Sequence, residues 1–337
     1  MDQRQQGRVW RNAVFKFIFL IAALAVPMAV PAAAQPAPER PVTVRSAELE
    51  LNPEQPDQRR LGSLHYLGGL ILAADDDTFG GYSGMEVDPD GKGLWAISDL
   101  GHWLRLDFTL DDNGLPRGVA SARLLPLNDA EGRPLERKRD SDAEALRRGV
   151  DGKWLVAFER SHRIWSYAEP GGVAASALPL PPAVADQPAN GGIEAMAVLP
   201  DGSLLLLSEE HMFGQDNAAW LWRDGRWHDR LWPVSGDFHP TDATALPNGD
   251  VIVLERYYTP FVGPKARLKR LPAAGLADTR LKPETLAEWA RPVSVDNMEA
   301  LDARRAADGS TWLYVMSDDN RNRLQRMLLM IFRLDPR

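Results

Sequence analysis

The chain has 337 residues, no cysteine, and 47 acidic against 39 basic side chains, a formal charge of −8. Without cysteine there are no disulfides and no thiolate metal sites, so any metal is held by oxygen or imidazole. A balance this acidic also argues against nucleic acid or anionic membrane as a partner bound through bulk electrostatics.

Residues 1–34 read as an export signal rather than as fold. Arg4, Arg8, Arg11 and Lys16 precede the apolar run FIFLIAALAVPMAV (Phe17–Val30), and small residues PAAAQ follow. That order predicts cleavage between Ala34 and Gln35 and a periplasmic or secreted chain. The competing reading is a retained anchor. Pro27 and Pro31 interrupt the run short of the roughly 18–20 apolar residues a spanning helix needs, so no stable membrane insertion is expected after cleavage. Residues 35–60 then form an N-terminal extension, and 61–337 a single domain.

SLHYLGGLILAADD (Ser63–Asp76) is the first strong strand, followed by five hairpins of one design. They are SGMEVDPDGKGLWAISD (Ser83–Asp99), DAEALRRGVDGKWLVAFE (Asp142–Glu159) and GIEAMAVLPDGSLLLLSE (Gly192–Glu209). PTDATALPNGDVIVLE (Pro240–Glu255) and NMEALDARRAADGSTWLYVMSD (Asn297–Asp318) complete the set. Each has an acid, small and apolar residues, a glycine turn, and an apolar strand ending on an acid. Asp-Gly and Asn-Gly at the tips predict two-residue type I′ turns. Strands such as KWLVAF and SLLLLS lack alternation, as expected where both faces are covered.

A repeat of roughly fifty residues built from strands predicts a β-propeller. HWLRLDF, HRIWSYA, AAWLWR and ARLKRLP read as third strands; SARLLPL, ASALPLP, RWHDRLW and TLAEWA read as fourth strands. The last repeat ends on a third strand, LLMIFRLD, so Ser63–Asp76 is expected to close the ring as its fourth and remove two exposed edges. Five blades are favoured. Six remain open if PVTVRSAELELN (Pro41–Asn52) belongs to a further, degenerate blade.

In such a ring the first strand of each blade lines the channel. The first acids, Glu86, Glu144, Glu194, Asp242 and Glu299, would then converge near the axis. The acids ending the second strands, Asp99, Glu159, Glu209, Glu255 and Asp318, would form a wider ring at the same end. So many carboxylates raise one another's pKa unless a counter-charge is present, and a hard divalent cation, Ca²⁺ above others, supplies it. Singly, any one of them is as well explained as a strand cap or ion-pair partner.

Beyond the acids lie Arg160, His162, His211, Arg256 and Arg321. The arginines would orient a small anionic or ester substrate, and His162 or His211 would move protons near neutrality. Local pairing with neighbouring acids is the alternative for each arginine. FGGYSGM contains Ser83 but is not G-x-S-x-G, and no metalloprotease, phosphate-loop, dinucleotide or EF-hand motif is present.

FGGYSGM (Phe79–Met85), Ser98–Asp99, Asp140 to Leu146, Phe158–Arg160, Asn190–Met196, Pro240–Asp242 and Asn297–Leu301 together resemble the phytase-like exported propellers named for an esterase-like activity of phytase. The resemblance spans about residues 60 to 335 and implies ester or phosphoester hydrolysis, with Ca²⁺ as the candidate cofactor. The acid at the start of each inner strand is also similar to gluconolactonase-like propellers, in which a channel glutamate helps hold a divalent metal. A non-catalytic propeller that binds a sugar, peptide or envelope partner is the remaining alternative.

Overall fold

The computed structural model describes residues 39–336 apart from 214, 215 and 323, with only the backbone for 210–213. The expected signal segment, 1–34, lies outside the described residues.

Five antiparallel sheets follow one another along the chain. Blade 1 runs outward from Tyr82–Val87 through Gly93–Ser98 and His102–Leu110 to Pro116–Pro126. Blade 2 comprises Ala143–Arg148, Trp154–Phe158, Arg163–Tyr167 and Ala174–Ala177. Blade 3 comprises Ile193–Val198, Leu204–Phe213, Asp216–Arg223 and Arg226–Pro233; blade 4, His239–Ala245, Val251–Thr259, Gly263–Leu271 and Glu284–Ala290. Blade 5 takes Asn297–Arg305, Thr311–Asp318 and Met327–Leu334 from the C-terminal end, then Leu64–Ala74 from the N-terminal end. The ring therefore closes as expected, by strand pairing between the two ends of the domain. Each inner strand packs on the next, and the fifth packs on the first.

No sixth blade exists among the described residues. Val44–Glu48 pairs with Leu64–Ala74 as an outer strand of blade 5, and Arg40–Pro41 pairs with Pro116–Pro126 at the edge of blade 1. The segment before residue 60 thus covers two sheet edges that would otherwise stand open.

The core is divided as the fold requires. Five apolar clusters fill the five wedges between blades, so every middle strand is buried on both faces. Leu205, Leu206 and Leu207 illustrate this: consecutive residues point to opposite faces, yet all three are buried, against blade 4 or blade 2. Truncating such a leucine costs about 2–5 kcal/mol. Inner strands also approach closely. A Cβ on Gly84 would lie 2.7 Å from the Leu146 nitrogen of blade 2, which is why that position carries no side chain.

The inner hairpins are not type I′. In each, the turn glycine has positive φ and donates to the residue three before it, as Gly202 does to Leu199 at 2.9 Å. The preceding Asp or Asn is not left-handed. These are type I turns followed by a glycine bulge, a three-residue loop. Pro89, Pro200 and Pro247 explain the difference: proline at the first central position holds φ negative, which type I′ forbids.

Candidate functional site

Every inner strand carries one β-bulge at the same place. Its extra residue is Ser83 in blade 1, Glu144 in blade 2, Glu194 in blade 3, Thr241 in blade 4 and Glu299 in blade 5. The acids from blades 2, 3 and 5 face one another: Glu144 and Glu299 raise the proton affinity of Glu194, and Glu299 raises that of Glu144. Glu86 and Asp242 do not belong to this ring. Asp242 stands one residue past the bulge, and Glu86 three residues past its own, deeper in the channel.

The wider ring needs the same correction. The residues following the bulge-paired positions are Asp99, Glu159, Glu209, Arg256 and Asp318, so an arginine fills the fourth place. Glu255 turns away from the channel into its own blade. There it is fully buried between Arg267 and Lys269 (3.1 Å), and accepts a hydrogen bond from the Trp232 indole at 2.6 Å. Turn spacing carries the signal for both slips. Ser83, Glu144 and Glu194 each stand seven residues before the Asp of their turn (Asp90, Asp151, Asp201), and Thr241, not Asp242, stands seven before Asn248.

At the acid end, Asp142, Glu144 and Glu159 offer carboxylate oxygens that all lie within 4.8 Å of one another. Asp142 is held by Lys138 at 2.5 Å and by Arg160 at 2.5 Å. Lys138 also reaches Asp99 at 2.5 Å, tying blade 1 to blade 2. Glu159 accepts hydrogen bonds from the Gly191 and Gly192 amides at the entry to blade 3. Asp318 accepts one from Gly81 (2.8 Å) at the entry to blade 1. Arg256 bonds Glu209 at 3.0 Å, Glu299 at 3.3 Å and the Asn297 side chain at 2.9 Å.

Four acids of this end, Glu144, Glu159, Glu194 and Asp318, have no ion pair among the described residues, and only Glu159 and Asp318 are met by backbone amides. Burial, then the neighbouring Asp142 and Glu159, push Glu144 well above the usual carboxyl range. Glu194 is pushed the same way by burial and by Glu144, Glu209 and Glu159, and has no ion pair among the described residues. Burial raises Glu299 to about 7 against the pull of Arg256, and Asp318 to about 6. Hard oxygen donors, crowded and short of positive charge, fit a divalent cation of the Ca²⁺ type.

The other end of the channel is built differently. Arg147, buried in blade 2, donates to the carbonyls of Met85 (2.9 Å), Ala243 (2.7 Å) and Leu301 (2.8 Å) in blades 1, 4 and 5. A side chain that reaches so many inner strands must lie across the axis. It also bonds Asp242 at 2.6 Å, while Glu86 lies 4.0 Å away. Asp242 accepts further bonds from the amides of Ala243 and Leu301, both at 2.8 Å. Asp302 accepts from the Val87 amide (2.7 Å) and the Thr244 hydroxyl (2.9 Å). Burial still pushes Asp242 up to about 7, with Arg147 opposing.

Of the basic residues expected at the rim, Arg160 and Arg256 reach the acids. His162 does not: its Nε2 contacts the Pro188 carbonyl at 3.1 Å, and its ring packs on Gly192. Arg321 is exposed on a loop beside Asp319, lining a separate outer cleft with Asp75, Asp76 and Asp77. The His211 side chain lies outside the described residues. Sequence reasoning missed Lys138, Asp142 and Arg147. Asp142 was legible as an acid two residues before Glu144, but Arg147 reads as an ordinary strand-end base until the blades are closed into a ring.

Residues 77–321 match the phytase-like family described as esterase-like activity of phytase. Among solved structures, the chain is similar to a protein of unknown function from Dyadobacter fermentans, at 13% identity and a TM-score of 0.43. That match covers 86% of this chain and 91% of the other. It is also similar to virginiamycin B lyase from Staphylococcus aureus, at 10% identity and a TM-score of 0.41, over 87% of this chain and 100% of that one. A luciferin-regenerating enzyme matches at 9% identity and a TM-score of 0.41, over 75% and 92% of the two chains. No curated protein matches. The five-bladed ring and the match over most of its length place one conclusion beyond the fold: the chain belongs to the phytase-like family.

Proposed function

We propose that this propeller is an exported, divalent-cation-dependent hydrolase of small anionic ester or phosphoester substrates. One observation carries the reading: Asp142, Glu144 and Glu159 converge within 4.8 Å beside Glu194, in surplus over the cations that face them. Asp142, Glu144, Glu159 and Glu194 would hold the ion. When bound, it supplies a Lewis acid that polarises the substrate oxygen and lowers the pKa of water.

The chain's own residues supply the rest. Arg256 sits where the other blades place an acid, and it brings positive charge to the edge of the ring for an anionic group. Glu299, raised to about 7, exchanges a proton near neutrality and suits general acid–base work better than His162, whose Nε2 is taken by a carbonyl. Lys138 and Arg160 fix Asp142 in place. Arg147 closes the far end, so substrate enters and leaves by the acid mouth.

The deciding experiment is metal analysis of the purified mature chain with p-nitrophenyl phosphate and p-nitrophenyl ester assays, with and without EDTA. Bound metal and chelator-sensitive turnover are expected. Full activity in EDTA with no bound metal would sink the reading. A second reading, a non-catalytic propeller whose cation only stabilises the ring, is favoured by the internal pairs Lys138–Asp142 and Arg256–Glu299. Stabilisation by cation without turnover of either substrate would select it. Export is tested separately by cell fractionation and an N-terminus at Gln35.

A further inference from the structure

A cleft of about 460 Å³ opens on the acid face between blades 4 and 5. One wall is the hairpin that joins Val251–Thr259 to Gly263–Leu271; the other is the connection from Thr311–Asp318 to Met327–Leu334. Its inner end is formed by Arg256 and Asn297, which also touch Glu209 and Glu299 of the acid site. The cleft therefore runs directly into that site.

Its walls combine polar residues, Asn320, Asn322, Gln325 and the buried Asp296, with exposed apolar side chains. Tyr258 (62% exposed) and Leu324 (88%) line it, and the tip of the Tyr258 hairpin carries Phe261 (100%) and Val262 (56%). These are four of the six large apolar side chains exposed among the described residues. Single exposed apolar residues need no explanation, but a concentration beside a candidate site does. Arg291 lines the same cleft, is exposed, and has no ion-pair partner among the described residues. The volume suits a small molecule rather than a protein segment.

We propose that this cleft is a specificity subsite for the apolar part of an amphipathic anion or ester. Tyr258 and Leu324 grip the acyl or aryl portion, and Arg291 attracts the negative charge. This rests on the hydrolase reading for its place beside the reacting ester, but binding at the cleft requires no turnover. A densely charged polyanion would find little in it, since Arg256 is already shared among Glu209, Glu299 and Asn297.

The test is calorimetric titration of butyrate and octanoate into the mature protein, then into a Tyr258→Ser/Leu324→Ser double variant. Both side chains are solvent-exposed, so the double variant should keep the wild-type melting temperature. Octanoate should bind the wild type at least about tenfold more tightly than butyrate, since burying only two of its four extra methylenes, at about fourfold each, already gives about fifteenfold. The double variant should reduce that preference to about twofold, and Arg291→Gln should weaken both anions alike. Equal affinity for the two anions, or an unchanged preference in the double variant, would overturn the proposal. So would binding to vesicles of anionic phospholipid with none to monomeric octanoate. p-Nitrophenyl butyrate and octanoate separate the two readings. A chain-length preference in binding with no hydrolysis of either ester keeps the subsite and removes the hydrolase. Hydrolysis of both with equal KM does the reverse.

Discussion

The two mouths of the channel are lined by the same inner strands and are both rich in buried acids, yet they are in opposite states. At the turn end, Asp242 and Asp302 are met by backbone amides, by Thr244 and by the guanidinium of Arg147. At the bulge end, Glu144 and Glu194 face other acids, and neither is met by a cation. A buried carboxylate with its donors in place is part of the scaffold. One held among like charges is a candidate for binding a positive partner.

The comparison breaks most visibly at Arg147. Arg147→Met leaves Asp242 buried without its cation and the carbonyls of Met85, Ala243 and Leu301 without their donor. Loss of about 3–5 kcal/mol or outright misfolding is expected, read by urea denaturation. A change below about 1 kcal/mol would mean that the turn end is no scaffold. Next in size, Ca²⁺ at a hundredfold over its Kd should raise stability by about 2.7 kcal/mol. Glu144→Gln should abolish that gain while leaving the EDTA-treated protein as stable as wild type, since the substitution removes a repelled charge. Destabilisation of Glu144→Gln in EDTA would show that Glu144 is already paired.

A pH scan sharpens the contrast at about 1–3 kcal/mol. The carboxyl groups of Glu299 and Asp318 are raised to about 7 and about 6, so the folded chain binds more protons than the unfolded chain above the ordinary carboxyl range. Stability in EDTA should therefore fall as pH rises from about 4.5 through about 7. Saturating Ca²⁺ should remove the share of that fall due to the acid end and leave the share due to Asp242, raised to about 7 at the other end; an increase in stability over that window in EDTA would contradict the assigned direction. The smallest effect is at Lys138, whose side chain is half-exposed. Lys138→Gln should cost less than about 1 kcal/mol in folding stability but loosen Asp142, so Ca²⁺ affinity should fall several-fold. A large folding defect with unchanged affinity would make Lys138 structural instead.

Much of this is legible in the sequence alone. The five hairpins, their glycine turns and the missing fourth strand of the last repeat are local in sequence, and each appears in the fold. Glu144, Glu194 and Glu299 were placed in one ring by repetition alone. The same repetition also put Glu86 and Asp242 in that ring and Glu255 in the wider one, wrongly, because it matches strands by residue type. A β-bulge shifts facing by one residue, and an acid one place away from Thr241 looks like the repeated acid. Arg256, adjacent to Glu255, took the place that the repeat reserves for a carboxylate.

The sequence by itself determined the propeller class, the order of strands within each repeat and the presence of an acid at most inner-strand entries, since these depend on periodicity and local turn chemistry; the choice of five blades over six needed the pairing of Val44–Glu48 with blade 5. Only the tertiary structure decided which acids face the axis and which are neutralised. Arg147 meets Asp242 and Leu301 across 95 and 154 residues of chain. Nothing local to any of those residues encodes the meeting; closing the ring brings them to one axis, and the low dielectric there turns proximity into a decisive interaction.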